Sequence, residues 1–165
     1  MIQIKEAGIE SLDIIKMLAY KIWPSAYTEL LEAGQLDYML NKFYSIHSLQ
    51  NQSSVLKHQF IIVFEDEAPV GFASFSAHKE DPTVYHLNKI YVLPAKQGKN
   101  IGRQILDYVT DRIKSGGACT LQLNVNRKNK ASFFYEKYGF KIIREEDIDI
   151  GEGYFMNDYV MELKL

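Results

Sequence analysis

One cysteine, four prolines and one tryptophan among 165 residues leave little material for several kinds of architecture. The lone thiol, Cys119, closes no internal disulfide and cannot by itself make a metal site. Long apolar runs are missing too: no stretch approaches the roughly 18 residues that a membrane-spanning helix needs. Met1 leads directly into Ile2-Gln3-Ile4, without a cationic leader and apolar core. Charge is nearly balanced, with 19 Lys and Arg against 21 Asp and Glu, so there is no basic excess to suggest a nucleic-acid or membrane-surface partner. No repeat, low-complexity segment or linker breaks the chain. These absences predict one domain, residues 1–165, cytoplasmic, without a metal.

What is present is an alternation of helical and strand-like periods. Leu12, Ile15, Leu18, Ala19 and Ile22 recur at helical spacing and end at Trp23-Pro24, where proline is expected to stop the helix. Leu36, Met39, Leu40 and Phe43 repeat that spacing up to about Ile46, and the polar stretch 45–59 reads as a long connection. Phe60 to Phe64 and Val70 to Phe75 flank Glu65-Asp66-Glu67 as a hairpin. A strand from Val84 to Leu93 follows, then a helix with Ile105, Leu106, Val109 and Ile113 on one face, stopped by Gly116-Gly117. Cys119 to Val125 alternates as a half-buried strand. Asn129 is placed to cap a short helix that Gly139 closes, and Phe140–Ile143 and Tyr154–Leu163 read as the last strands. The fold class is α/β: a mixed, mostly antiparallel central sheet with helices on both faces.

The segment with chemical content is Ile90-Tyr91-Val92-Leu93-Pro94-Ala95-Lys96-Gln97-Gly98-Lys99-Asn100-Ile101-Gly102, a strand, a turn and a helix start. A helix leaving a tight turn aims unpaired N–H groups at one point, and its dipole favours an anion there. Gly98, Asn100 and Gly102 tolerate the backbone shapes that let amides approach a pyrophosphate. Lys96, Lys99 and Arg103 add positive charge.

The strand before this turn is irregular. Leu87, Ile90 and Val92 cannot share one face by strict alternation. Either a β-bulge near Asn88-Lys89 absorbs the shift and frees backbone donors, or one of these side chains faces outward.

Leu87 to Leu93, the turn Gln97-Gly98-Lys99-Asn100-Ile101-Gly102 and the later Asn129-Lys130-Ala131-Ser132-Phe133-Phe134-Tyr135-Glu136-Lys137-Tyr138-Gly139-Phe140 together resemble the GNAT family, the GCN5-related N-acetyltransferases. The element order over nearly the whole chain fits. The family's turn runs Gln or Arg, two residues, Gly, one residue, Gly or Ala. Here Gln97 and Gly102 match and Asn100 replaces the first glycine.

The resemblance implies that acetyl-CoA is the cosubstrate, its pyrophosphate on the amides of Gln97, Gly98, Lys99, Asn100, Ile101 and Gly102, with Arg103 beside them. Its pantetheine would follow the strand ending at Val92, and an N–H among Ile90, Tyr91 and Val92 would polarise the thioester carbonyl. Asn129 and Phe134 join the cofactor set. Tyr135 falls where relatives carry the proton donor to the departing thiolate. Relatives often hold a glutamate base on the strand; here His86 is the candidate, with a water relay or desolvation of the amine as alternatives. The acceptor, a small-molecule or peptide amine, would meet Trp23, Tyr27 and Tyr154, with Tyr44 as a further aromatic candidate. Asp147, Asp149, Glu152 and Asp158 are placed to attract a cationic amine or simply to solvate a hairpin. The final strands also offer a route to a homodimer. A CoA-binding sensor without turnover competes with the enzyme reading, and a flavodoxin-like protein is disfavoured by the few strand-helix alternations.

Overall fold

A computed structural model describes all of residues 1–165. In chain order the elements are β1 (Ile2–Ala7), α1 (Leu12–Tyr27), α2 (Gln35–Tyr44), α3 (Ile46–Ser54), β2 (Gln59–Glu65), β3 (Ala68–Ala77), β4 (Val84–Val92), α4 (Ile101–Ser115), β5 (Thr120–Asn126), α5 (Ala131–Tyr138), β6 (Lys141–Gly151) and β7 (Tyr154–Lys164). The seven strands bond in the order β1-β2-β3-β4-β5-β7-β6. β4 and β5 are parallel, whereas β1–β2, β2–β3, β5–β7 and β6–β7 are antiparallel. No helix is long and apolar enough to cross a membrane. The chain divides into two compact units, Met1–Ser76 with Asn88–Val109, and Ala77–Leu87 with Thr110–Leu165.

In the first unit, Leu12, Ile15, Leu18, Ala19, Ile22 and Trp23 form the buried stripe of α1. Phe60, Ile61, Ile62 and Val63 are buried in succession on β2, which means that both faces of this strand are covered. Each such side chain contributes about 1.5–3 kcal/mol on leaving water. The β2–β3 turn places Asp66 at φ 48° and Glu67 at φ 73°, the two consecutive positive values of a tight hairpin.

Three elements differ from their sequence expectation. α1 runs through Pro24 to Tyr27: Tyr27 stacks on buried Trp23 with ring centroids 4.6 Å apart, and the Thr28 hydroxyl donates to the Pro24 carbonyl. The stretch expected as a connection contains α3. Ser45 caps it by accepting the Ser48 N–H at 3.1 Å, but only Leu49 and Gln52 are buried, too few to show a helical period. β6 extends to Gly151 rather than stopping at Ile143. It pairs with β7 from Lys141 to Gly151, with register shifts between Ile142 and Arg144 and between Asp149 and Gly151, and as an edge strand it tolerates exposed Arg144, Glu145 and Asp147 beside half-buried Glu146.

In the second unit β5 alternates as expected from Leu121 on, with Leu121, Leu123 and Val125 buried and Gln122, Asn124 and Asn126 half-buried; at its start the expectation is reversed, because Cys119 is exposed before the strand and Thr120 is buried. α4 ends at Gly116-Gly117, where Gly117 takes φ 96° and the Ala118 N–H donates back to Ile113 O at 3.0 Å, closing the last turn.

Candidate active site

The turn between β4 and α4 is built as the sequence proposes. Gly98 has φ 81° and Asn100 φ 65°, so the residue standing in for a glycine occupies the left-handed region that glycine favours and that asparagine tolerates. A Cβ on Gly98 would meet nothing within 4 Å, and residues 97–100 are exposed. Gln104 N–H donates to Asn100 O at 3.1 Å. The amides of Ile101 and Gly102 therefore precede the first bond of the helix ladder, at the N-terminal end of α4. Gln97 Nε2 donates to Val92 O at 3.3 Å and ties the turn to the strand end. One expected charge is spent elsewhere: Lys96 pairs with Glu65, and that ammonium holds the Glu65 carboxyl below its ordinary pKa.

The β-bulge is present. His78 N–H bonds Val84 O and Leu93 N–H bonds Val70 O, each at 2.8 Å; between these rungs β4 spans one residue more than β3. Asn88 Nδ2 donates to Ser76 Oγ at 3.0 Å, while the Tyr91 ring lies 5.6 Å from Phe72. Ser76 and Phe72 share one face of β3, so the odd step from Asn88 to Tyr91 places the extra residue between them. β4 pairs with β5 only over Val84–Leu87, and Asn88 to Val92 run on beyond that pairing. A central strand is ordinarily the most buried; here only Leu87 is, and the other eight residues are half-buried. This strand presents backbone and side chains rather than hiding them.

Around Tyr91 sits an aromatic cluster. Trp23 is centred 4.6 Å from Tyr27, 5.3 Å from Tyr44 and 5.7 Å from Tyr91. The Tyr27 and Tyr91 hydroxyls are 2.8 Å apart. Trp23, at 5% exposure, and Tyr44, at 1%, are packing residues, whereas Tyr27 and Tyr91 keep open surface. Burial, then the neighbouring Tyr27, raises the Tyr44 pKa far above that of an ordinary phenol, so Tyr44 stays neutral.

Two residues with no site role in the sequence reading, Lys89 and Gly71, stand beside this cluster. Lys89 Nζ donates to Gln52 Oε1 at 2.6 Å. Gly71 faces the Tyr91 carbonyl. A lysine directly before Ile90-Tyr91-Val92 within a central strand is the signal that marks the first of them.

In the second unit, Tyr135 is 8% exposed and packs edge-on against Phe134 and Phe140, with centroids at 5.4 and 5.8 Å. Phe134 is exposed. Asn129 Oδ1 accepts the Ala131 N–H at 2.9 Å, which satisfies an amide at the start of α5. His86 is half-buried, and burial, followed by the nearby His78, lowers its pKa to about 4. It is therefore neutral near pH 7 and holds a proton weakly. Tyr154 opens β7 half-buried. Of the acidic candidates, Asp147 is paired with Arg127 at 2.6 Å. Asp158 is buried; that burial, opposed by the Asn124 amide at 3.3 Å, raises its pKa.

Comparison with known proteins bears on this arrangement. A family model for the acetyltransferase (GNAT) domain matches residues 28–163. The chain is similar to the spermidine N(1)-acetyltransferase of Thermoplasma acidophilum, 28% identical over 99% of this chain and 97% of that protein. It is also similar to the [ribosomal protein bS18]-alanine N-acetyltransferase of Haemophilus influenzae, 31% identical over 56% of this chain and 58% of that protein. Among solved structures, the PaiA N-acetyltransferase of T. acidophilum, determined in complex with coenzyme A, superimposes with a TM-score of 0.82 at 26% identity, covering 100% of this chain and 99% of that one.

Proposed function

The chain belongs to the GNAT acetyltransferase family and is an acetyl-CoA-dependent N-acetyltransferase, and we propose that it acetylates a primary amine by direct attack, with cosubstrate and acceptor bound together. One observation carries this reading: a single stretch of chain, Asn88 to Gly102, joins a bulged strand that runs past its pairing with β5 to an exposed turn with left-handed backbone at Gly98 and Asn100.

The residues present fit acetyl-CoA. Gly98 leaves open space where a side chain would stand, and Asn100 holds a positive φ two residues on. The Gln97 N–H is taken by Pro94 O at 3.3 Å; the amides of residues 98–102, backed by the α4 dipole and by Lys99 and Arg103, suit a pyrophosphate. Acetyl-CoA supplies the thioester that the amine attacks. An N–H of Ile90, Tyr91 or Val92 donates to the thioester oxygen as negative charge builds there; loss of one such donor typically costs about 10²–10³ in rate.

The amine has to be neutral to react. His86 suits proton capture poorly, because its lowered pKa weakens it as a base. Shedding of water from the amine against the open surfaces of Tyr27 and Tyr91 favours the uncharged form instead. Tyr135 gives its hydroxyl proton to the thiolate as it leaves, with Phe134 beside it on α5 and Asn129 just before that helix as cofactor contacts. Relatives acting on spermidine and on a ribosomal-protein alanine support an acceptor that is a small molecule or a peptide.

Calorimetry with coenzyme A and thiol release from acetyl-CoA across an amine panel test the proposal. Saturable coenzyme A binding with amine-dependent release is the expected result; no heat with folded protein overturns it.

A further inference from the structure

Lys89 is a cation held by an amide oxygen and aromatic faces, with no carboxylate beside it. Its ammonium touches one hydrogen-bond acceptor, Gln52 Oε1, and stands over the rings of Tyr44 and Phe60 at 5.5 and 5.8 Å from their centroids. No carboxylate is among its partners, and burial alone brings its pKa down to about 8. Removing a charge from water without a counter-ion is expensive, and folds that do so usually have a use for it.

The acceptor on Gln52 is locked. Gln52 Nε2 donates to Phe43 O at 2.8 Å and to Ser48 Oγ at 3.1 Å, so its oxygen has only one way to face. This linkage holds the ammonium in place while two of its three donors have no oxygen partner. Lys89 nevertheless keeps part of its surface open to solvent. It lies on β4 directly before Ile90–Val92, on the side away from the phosphate turn.

We propose that Lys89 is the anion-binding residue of the acceptor site, and that the acceptor is an amino-acid-like amine with a carboxylate close to the reacting nitrogen. This rests on the acetyl-transfer reading above. The proposed pyrophosphate site lies in the turn before α4, so the counter-ion for Lys89 is assigned to the other substrate. A carboxylate there completes an ion pair whose positive half is already desolvated and oriented. A polycation would set like charge against Lys89.

The test compares each amino acid with its decarboxylated amine, tyrosine with tyramine, tryptophan with tryptamine and ornithine with putrescine, in the full-length protein and in Lys89→Met and Lys89→Arg. Acetyl-CoA binding is measured in parallel by calorimetry. The expected result is at least one pair in which the carboxylate-bearing member is preferred about tenfold or more in kcat/KM. Lys89→Met should bring that ratio toward one, mainly through KM, and Lys89→Arg should restore part of it. Equal use of both members, preference for the decarboxylated amines, or a ratio unchanged in Lys89→Met overturns the assignment, as does acetyl-CoA binding without turnover of any amino acid in the panel. Wild-type ratios decide the matter even if Lys89→Met fails to fold. Absent acetyl-CoA binding strikes the underlying reading instead and removes the basis of this one.

Discussion

A Cβ on Gly71 would stand 2.7 Å from the Tyr91 carbonyl oxygen and 3.4 Å from the Val92 Cα. β3 therefore approaches β4 as closely as two backbones allow, at the residues proposed to hold the thioester. Gly71→Ala forces β4 outward there. We expect a loss of about 1–3 kcal/mol in denaturant unfolding, the usual range for overpacking, and a raised KM for acetyl-CoA. Wild-type values for both would show that this approach positions nothing.

Asn100 tests the turn. At φ 65°, Asn100→Gly keeps the backbone and should hold acetyl-CoA within about twofold of wild type, whereas a β-branched Asn100→Val is strained by about 1–2 kcal/mol. Calorimetry should then read an affinity lower by about tenfold, since 1.4 kcal/mol is a factor of ten. Equal binding by both variants would mean that the turn's amides do not grip the cosubstrate.

Tyr135→Phe removes one hydroxyl from a ring that stays packed against Phe134 and Phe140. Turnover should fall at least tenfold with the coenzyme A dissociation constant nearly unchanged, the pattern of a lost proton donor. Full activity in this variant rejects the role.

Lys89 carries a signature in stability against pH. Its pKa in the folded chain is about 8 against an ordinary 10.5, so between those values the unfolded chain binds the extra proton and stability rises with pH. Wild type should gain on Lys89→Met from pH 8 to 10.5 by on the order of 2 kcal/mol, discounted for the residue's partial exposure. Parallel stability curves for the two proteins would place Lys89 in a solvated environment.

Much of this was legible in the chain. The glycine-and-asparagine turn, the alternation of β5 from Leu121 and the stripe of α1 each show their periods locally, and the odd step from Leu87 to Ile90 left two readings between which the β3–β4 hydrogen bonds decide for a bulge. α3 escaped because one buried leucine and one buried glutamine make no pattern. β6 escaped because an edge strand exposes its charges, which in sequence resemble a loop.

Residue types and their spacing determined the element order, the anion-ready turn and the family, because dihedral preference and side-chain periodicity act between neighbours in the chain. Only the tertiary structure decided that Lys96 neutralises Glu65, that Trp23 and Tyr44 are shut inside while Tyr27 and Tyr91 remain open, and that Lys89 lacks a counter-ion. Charge compensation and burial depend on which distant residues meet, and spacing along the chain does not encode them.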